Sequence, residues 1–452
     1  MNFLDLPVDI LFDILSRVYD LDKEQGNEGE PHSLIHRTVS RVCRQLRSLI
    51  VMTPLFWSVI SSNWSPRKLR EFIRYSGNMP LTINIVCDYT TTRPAHMAYF
   101  VKNVVTELAP RCKTMTISAI DDGLGTEYSI LHTISDACPT LHLPVLEHLE
   151  LYASSGDSRF VDMWSPINRY SIGAINGWSM PSLRHLKTSK WIPRLPNSGA
   201  LESMEIRAIS RGDDYRPSFD ELVGLLCRAP TLRTLNLALD DDSFNESSAL
   251  AMAWRDNPVV LNQLTDLTLD LRPYAYLCSD IPKPLFQLVQ SLRCPDLDRL
   301  TLTMNCSRKT TVGIDSFGYE EVFRSLIATL LTGLRPTSLR EIVLRLDTQP
   351  YFLGQPRFNS EIITPVSIIL QQSPQIQTIR VESYHARVDN SNESRVIFNT
   401  EPDITHPRVF LYPPTTLHLS GLPIDQDSFV KSMLKRLSQG PEHARISCIV
   451  VK

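Results

Sequence analysis

The sequence predicts an α/β protein in which a short N-terminal helical domain precedes a long array of strand–helix units. Three observations support this prediction. Apolar residues near the N-terminus recur at helical spacing, a leucine-containing phrase recurs through the rest of the chain, and helical patterns separate its copies. A length of 452 residues is too large for one ordinary core, which favours two domains or one elongated repeat array.

Composition and charge limit the kinds of partner that the chain is expected to bind. Lys and Arg total 46, Asp and Glu total 49, and the net charge is −3. This balance gives no overall electrostatic reason to expect a nucleic acid or a membrane surface, so we expect a protein partner. The nine cysteines contain no CxxC pair, and the sequence contains neither a signal-peptide pattern nor a long apolar run. We therefore expect an intracellular protein, cytoplasmic, nuclear or both.

The first sixty residues contain two helical patterns separated by a polar segment. Pro7 suits a first helical turn because its missing N–H has no intrahelical partner there. Apolar residues from Leu6 to Val18 follow at three- and four-residue spacing and form one face. A polar break covers residues 20–32, helical spacing resumes from Val39 to Ile50, and Thr53-Pro54 is predicted to end the second helix.

The order of these residues resembles the F-box motif. Residues 6–15 read Leu-Pro-Val-Asp-Ile-Leu-Phe-Asp-Ile-Leu, and residues 39–57 resemble the second half of the motif as found in large fungal F-box families. Those families often continue with a Ser-Gly-x-x-Pro-Leu segment, which residues 76–81 match. The sequence departs from the pattern in two places, because residues 20–32 lengthen the connection and Leu46 stands where an aromatic residue is common.

The resemblance implies a non-enzymatic substrate receptor of a cullin-based, SCF-type ubiquitin ligase. An F-box domain over residues 1–62 would bind the Skp-type adaptor and, through it, the cullin scaffold. Residues 63–80 would connect it to a repeat domain over residues 81–452 that binds an unknown protein substrate for ubiquitination. The residues expected to bind the adaptor are Leu6, Pro7, Ile10, Leu11, Leu15, Val42 and Trp57.

A phrase of the form Pro-x-Leu-x-x-Leu-x-Leu recurs after the first domain. Its alternating apolar positions predict a short strand with one buried face, and helical patterns around Leu222, Leu288 and Leu326 lie between copies. Each proline is predicted to end a helix and to start the next strand. Clear copies begin at Leu146, Leu232 and Leu297, and looser copies begin at Leu183, Leu201, Leu264, Leu339 and Ile376.

A helix-then-strand unit repeated in this way resembles the leucine-rich repeat, at the long and irregular end of its range. The resemblance implies a solenoid with parallel strands inside an arc and helices outside, because stacking buries the apolar face of each strand. An ordinary α/β domain is the alternative. We expect the following leucines and isoleucine to occupy equivalent buried positions: Leu149, Leu235, Leu267, Leu300 and Ile342.

Motifs for catalysis are missing from the sequence, and we expect no catalytic residue, cofactor or metal. The residues between the buried strand positions point away from the core and would form the target surface. A ligase-independent leucine-rich-repeat scaffold is the alternative function, and an enzyme with an unrecognised site is a third hypothesis. The residues expected to bind the target are Tyr152, Asn236, Thr268, Arg345 and Arg380.

Overall fold

The computed structural model shows an α/β protein that divides into two compact units. The first unit comprises Met1–Thr188, Pro193–Ser198 and Gly212–Tyr215, and the second comprises Ser189–Ile192, Gly199–Arg211 and Arg216–Lys452. The structure describes residues 6–25, 34–88, 94–121, 134, 137–155, 175, 177–189, 192–193, 195, 199–208, 219–239, 258–271, 283–305, 317–347, 369, 376–384, 395–401, 416–420 and 445–451.

Helices occupy the N-terminal part of the first unit. The helix predicted from Leu6 begins directly after Pro7, whose carbonyl oxygen accepts a 3.1 Å hydrogen bond from the N–H of Leu11. It continues to Gln25, through the start of the predicted polar break. The elements are α1 (Val8–Gln25), a π-helical turn (Leu34–Val39), α2 (Ser40–Val42), α3 (Arg44–Met52) and a 3-10 turn (Pro54–Trp57).

A parallel sheet follows in the first unit. Its strands β1 (Val59–Ser61), β2 (Leu81–Asp88), β3 (Cys112–Asp121), β4 (His148–Ser155) and β5 (His185–Ser189) lie side by side in chain order. Helix α4 (Pro66–Tyr75) lies between β1 and β2 in the chain. Between β2 and β3 the chain forms α5 (Pro94–Tyr99), a π-helical turn (Phe100–Val105), α6 (Thr106–Leu108) and a 3-10 turn (Ala109–Arg111).

The segment directly after the N-terminal helices shares a sheet with the strands that follow it. Residues 59–61, placed by the sequence in the helical domain, form β1 and pair with β2. The segment expected to be a connection, residues 63–80, contains α4. Ser65 caps this helix, because its side chain accepts a hydrogen bond from the N–H of Lys68 and Pro66 occupies the first turn.

The second unit is also built on a parallel sheet in chain order. Its strands are β6 (Ser203–Ala208), β7 (Thr234–Leu239), β9 (Asp266–Leu271), β11 (Arg299–Asn305), β12 (Glu341–Asp347), β13 (Thr378–Tyr384) and β15 (Thr416–Ser420). The helices are α7 (Phe219–Cys227), α8 (Lys283–Ser291) and α9 (Phe317–Leu334), and α8 contacts both of the others. The short strands β8 (Val259–Val260) and β10 (Leu292–Arg293) pair with each other.

The predicted strand register is confirmed. In the second unit Leu235 pairs with Leu267, Leu267 with Leu300, and Leu300 with Ile342. In the first unit Leu149 holds the same place between Met115 and Leu186. The side chains of all these residues are almost fully buried, because alternate positions on every strand face the core.

The prolines of the repeated phrase lead into the strands, as predicted, but they stand in turns and do not directly end the described helices. Pro144, Pro181, Pro230 and Pro295 each occupy the second position of a tight turn, which the N–H of the first leucine closes onto the carbonyl three residues earlier. The fixed φ of proline suits this position. Helix α7 ends at Cys227, before its turn begins, and β10 separates α8 from Pro295. The prolines therefore belong to the turn that leads into each strand.

Two strands near the C-terminus run against the expected parallel direction. Strand β14 (Arg395–Glu401) pairs antiparallel with β15 and with β16 (Arg445–Val451). Residues 395–401 thus add an antiparallel strand to the sheet. An edge strand of a parallel sheet can pair with a neighbour of either direction, because its free N–H and C=O groups can form hydrogen bonds with a parallel or an antiparallel strand.

Candidate functional site

The N-terminal helices surround an aromatic core. Phe56 is fully buried, and the rings of Phe12 and Tyr19 on α1 lie 6.2 and 5.4 Å from its ring. The imidazole of His36 lies 4.5 Å from the Trp57 ring, and its Nε2–H donates a 2.8 Å hydrogen bond to the Phe56 carbonyl. Phe56 and Trp57 are therefore covered by these helices.

The structure divides the seven residues expected to bind an adaptor into two groups. Leu11, Leu15 and Trp57 are buried and hold the helices together. Leu6 is half-buried, whereas Pro7, Ile10 and Val42 are exposed. The exposed fraction of the side chain is 42% for Ile10 and 67% for Val42. The second group is the part of the prediction that a partner can reach.

Further apolar side chains lie exposed on the N-terminal helices, among them Leu21, and sequence reasoning did not single out two that stand at the start of α1 and the end of α3. Val8 on α1 is 59% exposed, and Met52 at the end of α3 is 78% exposed. Helical spacing places Met52 off the buried face but would place Val8 on it. Val8 precedes the buried positions Leu11 and Leu15 by three and seven residues but stands in the first turn, and Met52 follows Ile50 by two, off the buried face. We refer to Pro7, Val8, Ile10, Val42 and Met52 together as the apolar helix surface, a set defined by their exposure in the N-terminal helical segment.

A row of charged side chains crosses the polar face of the second unit. The residues that precede the buried leucines on successive strands are in register, so Arg299 lies between Asp266 and Glu341. Arg299 Nε donates a 2.6 Å hydrogen bond to Glu341 Oε2, and Arg299 Nη1 lies 3.6 Å from Asp266 Oδ1. The hydrogen bond to Glu341 raises the pKa of Arg299. Arg380 Nη2 is 3.2 Å from the other oxygen of Glu341, so this carboxylate joins two arginines.

Asp266, Arg299 and Arg380 line an open cleft of about 350 Å³. Thr301 on β11 pairs with Val343 on β12, and both side chains are nearly buried. The cleft brings together Thr268, Arg345 and Arg380 of the expected target residues. Its lining residues are Thr234, Asp266, Leu267, Thr268, Arg299, Thr301, Val343, Arg345 and Arg380.

The other two expected target residues lie outside the cleft. Asn236 stands on β7 and pairs with Thr268 on the neighbouring strand β9, but it does not line the cleft. Tyr152 belongs to the first unit, where its hydroxyl donates a 3.2 Å hydrogen bond to Glu150 Oε2 and Lys187 Nζ lies 5.6 Å from its ring. Burial, followed by the charge of Glu150, raises the pKa of Tyr152. The structure therefore places the predicted target residues in two separate surfaces.

A pair of histidines lies on the polar face of the first unit, one of them on the same strand as Tyr152. His148 on β4 pairs with His185 on β5, and their rings stack 4.3 Å apart with an interplanar angle of 7°. Burial lowers the pKa of His148, and the charges of His185 and Lys113 act in the same direction. The carboxylates of Glu147 and Glu150 oppose this effect. His148 is thus held in a setting that favours its neutral form.

Two of the described cysteines, Cys112 and Cys294, are buried. Burial raises the pKa of Cys112 and of Cys294 to about 12, so these thiols stay protonated at neutral pH. Within the described part of the chain, His, Cys, Asp and Glu side chains form no group of three that could hold a metal ion. The described helices include none that is long and apolar enough to cross a bilayer. What the polar faces of both units offer is polar and charged contact.

No family model and no curated protein matches this chain. Its function therefore has to be argued from its own residues. The described structure provides two accessible surfaces with different chemistry: the apolar helix surface at the N-terminus and the charged cleft of the second unit. Exposed apolar groups and arginine-rich polar faces are both features of protein-binding sites.

Proposed function

We propose that the chain is the substrate-recognition subunit of an SCF-type ubiquitin ligase. Its N-terminal helices would be an F-box that binds a Skp-type adaptor, and its strand–helix array would be an irregular leucine-rich-repeat domain that binds the target. The observation that carries the proposal is the apolar helix surface. Pro7, Ile10 and Val42 are exposed, and they lie within the residues that resemble the F-box motif.

The burial pattern gives each part of the motif its own role. Leu11, Leu15 and Trp57 fill the core of the N-terminal helices, so they act on adaptor binding by keeping the helices in place. Val8, Ile10 and Val42 would contact the adaptor directly. In the free chain these exposed apolar side chains contact water. A partner that covers them removes this apolar area from water, which stabilises the complex.

The charged cleft supports the second half of the proposal. Arg345 and Arg380 stand on adjacent strands and line it together with Thr268. Arginine and hydroxyl side chains on a rigid sheet give directed hydrogen bonds to a protein target, because the strands fix their positions. The ubiquitin-transfer chemistry would then belong to the partner proteins of the complex.

Reconstitution of the complex tests the adaptor half. The full chain is mixed with a Skp-type adaptor and a cullin scaffold, and the complex is separated by size-exclusion chromatography. We expect the parent to elute with both partners and the double variant Leu6→Ala, Pro7→Ala to elute alone, with an unchanged circular-dichroism melting curve. Separate elution of the parent and the adaptor would refute the adaptor half and favour a ligase-independent scaffold.

Proximity labelling in cells with the proteasome blocked tests the target half. We expect the double variant Arg345→Glu, Arg380→Glu to lose labelled proteins that the parent captures, while it still binds the adaptor. The control Arg228→Glu, Arg335→Glu makes the same charge change at exposed arginines outside the cleft lining. An identical set of labelled proteins for the parent and the cleft variant would move the target site elsewhere.

A further inference from the structure

Residues 34–80 carry a strong local positive charge. This stretch contains eight Lys or Arg residues and a single acidic residue, Glu71, which gives a local charge of +7 in a chain whose net charge is −3. The near-neutral total conceals this difference. A field of one sign concentrated over a few dozen residues acts on partners within about a Debye length, roughly 8–10 Å at physiological salt.

The charges lie on the exposed sides of α3, of α4 and of the short helix α2 that precedes α3. Trp57 joins α3 and α4, because its indole donates a hydrogen bond to the Ile50 carbonyl of α3 and its ring lies 4.8 Å from that of Phe72 on α4. The exposed arginines of α2 and α3 and those of α4 therefore flank one aromatic core. We call this set the basic surface: Arg41, Arg44, Arg47, Arg67, Arg70 and Arg74, all exposed.

Several of these charges stand at unfavourable positions in the helices that carry them, whereas Arg74 stands in the last turn of α4, where a cation is favourable. Helix α3 begins with Arg44, and α4 has Arg67 and Lys68 in its first turn, where neither helix has an acidic residue. A cation near a helix N-terminus opposes the helix dipole and costs about 0.3–1 kcal/mol. The buried faces of the two helices use Leu46, Ile50, Leu69 and Phe72 instead. The basic surface therefore contributes little to the fold: Arg67 makes an exposed ion pair with Glu71, and Arg47 and Arg70 donate exposed hydrogen bonds to backbone carbonyls.

The neighbours of the basic surface identify the class of partner. The exposed apolar side chains of Val42 and Met52 lie on the same two helices as Arg41, Arg44 and Arg47. Methionine and arginine are enriched in protein–protein interfaces. A phosphate backbone is recognised through its charge and offers little to an exposed methionine. Asp9 and Asp13, exposed on α1, would also repel a polyanion.

We propose that the protein docking on the apolar helix surface presents an acidic patch to the basic surface. The inference rests on the proposed function, since it describes the same docking site. Apolar contacts supply most of the affinity in such an arrangement, while the charges accelerate association and select the partner. Binding therefore weakens with added salt, mainly through the association rate.

The salt dependence of binding to a purified Skp-type adaptor tests the inference. Association and dissociation rates of the full chain are measured between about 0.05 and 0.5 M salt. We expect the affinity of the parent to fall by about tenfold or more over this range. The triple variant Arg41→Glu, Arg44→Glu, Arg47→Glu should bind at least about tenfold more weakly at low salt and should lose the salt dependence. The triple change to Lys should behave like the parent.

Two controls separate this inference from the function on which it rests. The variant Arg207→Glu, Arg233→Glu, Arg340→Glu has the same change in net charge in the second unit and should bind like the parent. The single variant Arg44→Glu repeats the test with one exposed side chain, should the triple variant fold poorly. Circular-dichroism melting verifies the fold of each variant.

The outcomes are distinct. A parent that does not bind the adaptor at low salt removes the proposed function and this inference together. A parent that binds with equal affinity at all salt concentrations, and a triple variant that matches it, overturn the inference alone. Binding of the parent to duplex RNA or to phosphatidylserine-containing vesicles, lost in the triple variant while adaptor binding is kept, would assign the basic surface to a polyanion and also overturn the inference.

Discussion

The indole Nε1 of Trp57 donates a 2.8 Å hydrogen bond to the backbone oxygen of Ile50, in the last turn of α3. The same ring lies 4.8 Å from Phe72 and 4.7 Å from Tyr75, both on α4. One side chain therefore joins two helices and closes the core between them. The sequence suggested that Trp57 belongs to a binding surface. Its side chain is buried instead, and it packs α3 against α4.

Truncation of this side chain should destabilise the first unit. We expect Trp57→Ala to lower the free energy of unfolding by about 3–5 kcal/mol, as for other large buried aromatics. Trp57→Phe should cost less, because it keeps an aromatic ring and loses one hydrogen bond worth about 0.5–1.5 kcal/mol. Urea denaturation followed by circular dichroism measures both. Tyr99→Ala, at an exposed aromatic, is the control, and an equal effect of Tyr99→Ala and Trp57→Ala would contradict this role.

Two helical glycines give a matched test of packing in the second unit. A Cβ built on Gly333 of α9 would lie 2.2 Å from Val289 Cγ1 and 2.8 Å from the Val289 oxygen on α8, whereas a Cβ on Gly224 of α7 meets nothing closer than 3.7 Å. Gly333→Ala should therefore destabilise by about 1–3 kcal/mol through overpacking. Gly224→Ala should be neutral or stabilising by about 0.5–1 kcal/mol. Thermal melting of the two variants compares them, and a shift of the same sign in both would contradict the close approach of α8 and α9.

Thr188 occupies a buried position where the neighbouring strand has an apolar side chain. It pairs with Leu151, is fully buried, and its hydroxyl has no hydrogen-bond partner within the described residues. Thr188→Val keeps the shape of the side chain and removes the buried polar atom. We expect it to raise the free energy of unfolding by about 1 kcal/mol. A loss of stability in urea denaturation would show that the hydroxyl is satisfied.

The histidine pair on the first unit should make stability depend on pH. Because the folded state lowers the pKa of His148, protonation favours the unfolded chain, and stability falls as the pH drops below the ordinary histidine value of about 6.5. His185→Gln removes one of the charges that lower this pKa and should flatten the fall in melting temperature between about pH 7 and pH 5. His96→Gln, in a different environment, serves as the control. Superimposable pH profiles of the parent and His185→Gln would contradict the coupling.

The strand array could be predicted from sequence because its signal is strong and local. Leucines alternate along each strand, and a one-residue slip would move them all to the polar face, so the register of Leu235, Leu267 and Leu300 follows from the pattern alone. The direction of β14 and β16 could not be predicted, since alternation is the same in parallel and antiparallel strands.

The candidate sites could be predicted only in part. Helical spacing marks which residues are apolar, but it does not say which of two apolar faces meets the core, so Ile10 and Leu11 looked equivalent. The Asp266–Arg299–Glu341 row was missed for another reason. Its members stand in different repeats, and their opposite charges become neighbours only when the strands are aligned in register.

Direct measurement of adaptor affinity tests the central claim. Calorimetric titration of the full chain with a Skp-type adaptor should give a dissociation constant of about 1 µM or lower, that is, about −8 kcal/mol or better. Ile10→Glu with Val42→Glu places two charges in the apolar helix surface and should weaken binding by at least about 100-fold without a change in melting temperature. Val260→Glu, at a comparably exposed valine of the second unit, should bind like the parent. Absence of binding by the parent, or equal binding by the Ile10→Glu, Val42→Glu variant, would contradict the claim that this chain is an adaptor-bound substrate receptor.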